Sequence, residues 1–218
     1  MLDNITIEYV IATAIVIFFA IGLHEYAHAK VADMAGDPTP RAQGRVTLNL
    51  TKHFELMGTI MIVVSSLSGF GIGWGKPVQV NPLKMKNYRW DHFASVIAGP
   101  LSNLVQAMAF AIVFRVIAIT SPAILQGEFL YSLLFQGVMI NVALMLFNLI
   151  PFGPLDGHWL VGLMMPEPQR TRWFIFNRTT GSFLLLGIIL MGQFSGFSII
   201  GMVIGPPAEF MLRFLLGI

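Results

Sequence analysis

The sequence predicts an all-α polytopic membrane protein: about five to six transmembrane helices, with a re-entrant loop and small β-strand segments between the first two strong spans. Three observations carry this. The chain is 56% hydrophobic and 11% charged, whereas soluble domains carry about 25% charged residues. Its mean hydropathy is +0.74. Apolar runs close to the roughly 20 residues a bilayer span requires recur along it. So few charges cannot cover a water-facing surface, so most of the surface must meet lipid. At 218 residues the chain reads as one integral membrane domain, with a core over about 5–160 and additional helices over about 161–218.

The first span covers Ile5 to Leu23, and its helical pattern continues to Asp33, before Gly36-Asp37-Pro38 ends it. Arg41 to Thr51, most clearly over Arg45 to Leu50, and Lys76 to Pro82 alternate in a strand-like way. Between them, Met57 to Ile72 is an apolar run of 16 residues, short for a span. Lys30, Arg41, Arg45 and Lys52 precede it, and Lys76, Lys84, Lys86 and Arg89 follow it. Cytoplasmic loops collect Lys and Arg, so a re-entrant loop, which keeps all eight on one side, is preferred to a crossing. Phe93 to Thr120 and Phe129 to Ile150 are the next spans, and Thr179 to Met191 and Phe197 to Leu216 are shorter ones after a polar stretch from Glu167 to Arg178. The same rule puts the N-terminus outside and Arg170, Arg172 and Arg178 in the cytoplasm. If both late segments cross, Arg213 returns to the cytoplasmic side.

Composition also excludes. Without cysteine there is no disulfide framework and no thiolate ligand. The net charge of +2 comes from basic residues that flank apolar runs, not from a tract interleaved with aromatics, so no nucleic-acid partner is expected. Met1 to Glu8 lacks Lys and Arg, and no small-residue cleavage site follows, so no cleavable signal peptide is expected.

The most specific feature is His24-Glu25-Tyr26-Ala27-His28 near the far end of the first span. On a helix, residues four apart share a face, so both imidazoles can address one ion. Glu25 projects about 100° round from His24, where a carboxylate can take a proton from an ion-bound water. Polar groups this deep in an apolar helix are costly and point to function. A catalytic zinc usually has three protein ligands. Asp156, after Pro151 and Pro154 at the end of the third strong span, is the best-placed third ligand at similar depth. It could also simply cap a short helix starting near Gly157. His53, His92 and His158 read as interfacial.

Three segments, in order, carry a family resemblance: the His24 to His28 motif, Ala98-Gly99-Pro100-Leu101-Ser102-Asn103, and Asn148 to Gly157. Together they resemble the site-2 protease family of intramembrane zinc metalloproteases, in its compact prokaryotic branch without a PDZ domain. The resemblance implies one Zn2+ per chain held by His24, His28 and Asp156, with Glu25 catalytic. It also implies that Asn103 and Asn148 meet the substrate backbone or the oxyanion. The implied activity is hydrolysis of peptide bonds within or near transmembrane segments of other membrane proteins. The expected place is the cell membrane, with the active site near the cytoplasmic face. A non-hydrolytic zinc transporter or sensor is the alternative. It needs no carboxylate beside the first histidine and would show paired polar positions across spans, whereas here they gather at one depth.

Overall fold

A computed structural model describes residues 6–55, 58, 60 and 75–217. Its principal helices are α1 (Ile7–Met34), α2 (Tyr88–Thr120), α3 (Glu128–Asn148), α4 (Asp156–Met164), α5 (Gln169–Phe176), α6 (Ser182–Ser195) and α7 (Ile199–Leu216). A π turn at Asn177–Gly181 joins α5 to α6, so the polar stretch from Glu167 to Arg178 is largely helical. Five helical stretches among the described residues are long and apolar enough to cross a membrane: α1, α2, α3, the joined α5–α6 and α7.

The helices begin where capping chemistry allows. Thr6 accepts the Tyr9 amide at the start of α1 (3.2 Å), and Asn87 accepts the Trp90 amide at the start of α2 (3.2 Å), each satisfying an otherwise orphaned donor.

α1 and α2 pack through a seam of small and polar residues at every fourth position. Ala12, Val16, Ala20 and His24 are buried on α1, and Ser95, Gly99, Asn103, Ala107 and Ala111 on α2. In lipid no hydrophobic force drives two apolar helices together, so small residues that let backbones approach supply the packing. His24 meets Asn103 and His28 meets Ser95, so the pair is antiparallel. The end of α1 and the start of α2 therefore lie on the same side of the bundle. The expected re-entrant run, Met57 to Ile72, lies almost wholly outside the described residues.

The two expected strands do not form: no strand occurs among the described residues. Leu50–His53 winds into a 3-10 turn, and Pro77 and Pro82 remove amide donors a ladder would need. A side chain links the two segments instead. The buried Arg45 guanidinium donates to the carbonyls of Lys52 (2.5 Å) and Lys76, and the Lys76 amide donates to the His53 carbonyl (2.8 Å). Residues 75–81, which have no regular secondary structure, thus form a strap beside α1.

α7 runs antiparallel to α3. Its early residues Ile200, Val203 and Pro207 share an apolar cleft with Leu146, Ile150 and Pro151 at the C-terminal end of α3. At its other end, Leu216 packs among Ala111, Val138 and Phe135. A Cβ on Gly217 would lie 2.7 Å from Arg115, near the α2 end opposite the histidines. Arg213 consequently lies on the side of Thr6 and Glu128, contrary to its expected return to the other face. The reason is α6: Leu185 and Ile188 line the same cleft, so α4 through α6 leave and return on the side where α3 ends.

Candidate metal centre

His24 and His28 sit one turn apart on α1, and Asp156 opens α4. The loop before α4 is fixed by Asn177, whose side-chain oxygen accepts the Gly153 amide at 2.7 Å. Gly157 lets α4 close on the end of α3, since a Cβ there would lie 2.3 Å from the Leu149 carbonyl oxygen. At the far end of α4, Arg89 of α2 donates to the Leu163 (2.6 Å) and Met164 (3.0 Å) carbonyls. No side-chain hydrogen bond caps the start of α4, where Asp156 is the first residue. It turns to the histidines.

His24 Nε2 and His28 Nε2 lie 3.0 Å apart, and each is 3.3 Å from Asp156 Oδ2. The other ring nitrogens set the tautomers. His28 Nδ1 lies 2.7 Å from the Ser95 carbonyl, which can only accept, so this nitrogen donates. His24 Nδ1 lies 2.7 Å from Asn103 Oδ1. The Asn103 nitrogen donates to the Ala20 carbonyl (3.1 Å) and to Asn141 Oδ1 (2.9 Å), which leaves its oxygen facing the histidine. When both rings are neutral, their Nε2 atoms therefore point lone pairs at each other and at a buried carboxylate oxygen that has no hydrogen-bond partner. Three converging acceptors repel unless a cation sits among them.

Zinc fits this set. Ligand atoms about 2.0–2.1 Å from an ion at tetrahedral angles lie about 3.3 Å apart, close to the separations seen. Gly99 keeps the place open: a Cβ there would lie 2.2 Å from His28 Nε2 and 2.7 Å from His24 Cε1. Among the described residues His24, His28 and Asp156 are the one His/Cys/Asp/Glu cluster spaced to hold a metal ion.

Glu25 is not part of that cluster. Its Oε2 accepts the Val78 amide of the strap at 3.1 Å. The strap is tied at both ends, by Arg45 at Lys76 and by Asp37 Oδ2, which accepts the Asn81 amide at 2.6 Å. A Cβ on Gly75 would lie 2.7 Å from Ile21 Cγ2 and 3.4 Å from Glu25 Cγ, so only glycine admits this close approach.

Of the two asparagines, Asn103 is fully buried behind His24, while Asn148 is partly exposed at the end of α3, its amide donating to the Leu144 carbonyl at 3.0 Å. His53, His92 and His158 are buried within the protein. Ser95 and Asn141 carry no role in the sequence reading, and Gly99 and Val78, though in segments named there, are not tied to the metal centre. The fourfold spacing of Ser95, Gly99 and Asn103 through an apolar helix is a signal for the first two; nothing local marks the others.

Known proteins match most of this chain. The model of peptidase family M50 matches residues 12–191. The "Putative zinc metalloprotease YwhC" of Bacillus subtilis is 37% identical over 172 residues, covering 75% of this chain and 72% of that protein. The "Putative zinc metalloprotease sll0528" of Synechocystis is 34% identical over 66% of this chain and 29% of its own length. The "Putative zinc metalloprotease Rip2" of Mycolicibacterium smegmatis is 32% identical over 68% and 55% respectively. No solved structure gives a significant match.

Proposed function

The chain belongs to peptidase family M50, the site-2 protease family, and is a membrane zinc metallopeptidase; from that premise we propose that His24, His28 and Asp156 hold one zinc ion and that Glu25 is the general base. The observation that carries this is the convergence of three metal-binding atoms, all within 4.8 Å of one another, beside a carboxylate held by a backbone amide. The proposed substrates are other membrane proteins, cut within or near their transmembrane segments.

Zinc supplies Lewis acidity, polarising a carbonyl and making water acidic enough to lose a proton near neutral pH. Glu25 receives the proton from the attacking water and returns it to the leaving nitrogen. The Val78 amide holds Oε2 of that carboxylate. Asn103 and Ser95 keep the imidazole Nδ1 protons in place, so Nε2 stays free. Of the asparagines, Asn148 is the candidate for substrate contact, because Asn103 is closed off by burial.

A peptide bond must be extended to be cut, so a helical substrate has to unwind at the site. The strap from Lys76 to Asn81 offers it a backbone to lie along. The site end of the bundle is assigned to the cytoplasm of a multi-pass cell-membrane protein: 11 of the 13 basic residues lie there, and Arg115 and Arg213 lie at the other end.

Purified protein in liposomes with a single-span reporter tests the reading. Glu25→Gln retains one zinc per chain and stops cleaving, while chelation abolishes wild-type cleavage and added zinc restores it. Wild-type cleavage by Glu25→Gln would sink the assignment.

A further inference from the structure

We propose that Asn141 is a positioning residue for the metal centre: acting through Asn103, it holds His24 in the tautomer whose Nε2 carries the lone pair. The inference rests on His24 being a zinc ligand.

Asn141 lies on α3, fully buried, and touches none of His24, His28 or Asp156 through a hydrogen bond of its own. Its Nδ2 donates to the Gly137 carbonyl one turn back at 2.8 Å. That carbonyl can only accept, so the Asn141 oxygen must face Asn103, whose Nδ2 donates to it at 2.9 Å. The second hydrogen of that Nδ2 goes to the Ala20 carbonyl at 3.1 Å. Flipping the Asn103 amide would therefore set its oxygen against two other oxygens, those of Ala20 and Asn141. With both in place, Asn103 Oδ1 is committed to His24 Nδ1 and the ring proton stays there. Without Asn141, one of the two repulsions that forbid the flip is gone. A flipped Asn103 would donate to Nδ1, move the proton to Nε2 and remove the lone pair the metal needs. Polar groups buried in lipid often serve only to join helices. The relay differs from such a joint because it ends on a ligand nitrogen and because each orientation in it is fixed by a backbone carbonyl.

The test is a double-mutant cycle in detergent, with zinc affinity read by competition against a chromophoric chelator and thermal unfolding followed alongside. Asn141→Leu weakens zinc by about tenfold or more, the range seen when partners of metal-bound histidines are removed. The same change in an Asn103→Ala background weakens it no further, because its route to His24 is already cut. Histidine 15N spectra of the zinc-free Asn141→Leu protein show both tautomers of His24, where the parent shows one. Asn141→Asp, which keeps an oxygen toward Asn103, retains most of the affinity and serves if the leucine variant does not fold. Parental zinc affinity in Asn141→Leu at reduced thermal stability would reduce Asn141 to a helix joint, and additive losses in the cycle would break the relay. A His24→Ala control separates the two readings: if it leaves zinc binding intact, the ligand assignment fails; if it abolishes binding while Asn141→Leu does not matter, only the relay fails.

Discussion

Gly99→Ala adds one methyl to α2 at the point where that helix rides over the two imidazoles. Its Cβ would lie 2.2 Å from His28 Nε2, 2.5 Å from His28 Cε1 and 2.7 Å from His24 Cε1. Carbon meets its neighbours comfortably at about 3.5 Å, so the rings and α2 must separate by roughly 1 Å. Metal sites tolerate ligand displacements of only about 0.2 Å. The rings cannot rotate away freely, because their Nδ1 atoms are tied to Asn103 and Ser95 on the same helix that is pushed back. The methyl also points into the space between the ligand nitrogens. Zinc affinity should therefore fall by at least 100-fold and cleavage should drop below detection. Overpacking of this size costs folding about 1–3 kcal/mol, so the protein should still be isolated folded. Metal analysis of the purified variant, with circular dichroism to confirm helicity, reads the outcome. A folded Gly99→Ala protein that keeps one zinc per chain and cleaves normally would refute the packing argument.

Proline substitutions separate the two jobs assigned to the strap. Val78→Pro removes the amide that holds Glu25 Oε2; a hydrogen bond to a charged group is worth about 1.5–3 kcal/mol, so kcat should fall roughly 10- to 100-fold with zinc retained. Val80→Pro leaves Glu25 untouched and should raise KM instead, and a steady-state comparison in which neither constant moves would count against both roles. Asp37 should make strap stability acid-labile. Burial alone would raise its carboxyl, but the Thr39 hydroxyl and the Asn81 and Thr39 amides hold it below the ordinary value. Because the folded value is the lower one, the stabilisation is complete above about pH 4 and is lost as pH falls through the folded value. Asp37→Asn should thus destabilise by about 1–3 kcal/mol at pH 7, and its difference from the parent in thermal unfolding should shrink below about pH 4. A difference that stays constant down to pH 3 would show that charge is not the cause.

The parts of this protein legible in one dimension are those that local geometry dictates. Helical periodicity alone puts His24 and His28 on one face, and the apolar run before them sets their depth in the span. Composition makes the chain a membrane protein, and breakers at Pro151 and Pro154 mark where a carboxylate leaves one helix to begin another. What failed is as instructive. Alternation at Arg45 to Leu50 looked like a strand because period two was the only signal visible, while the use of Arg45 as a buried bridge to two carbonyls depends on a neighbour 31 residues away. Apolar length marked both late segments as spans, but length carries no direction, and the packing of Leu216 among Ala111 and Val138 decides which way α7 runs.

The sequence nominates His24, His28 and Asp156 as ligands, the histidines by spacing and residue chemistry and Asp156 with the help of the family resemblance. Tertiary structure alone decided what makes them a site. Asn103 reaches His24 across 79 positions, Asn141 reaches Asn103 across 38, and the Val78 amide reaches Glu25 across 53. Periodicity encodes which face of a helix is buried, never which face of another helix it meets. The proton on His24 Nδ1, the room for an ion beneath Gly99 and the restraint on Glu25 all arise from such meetings.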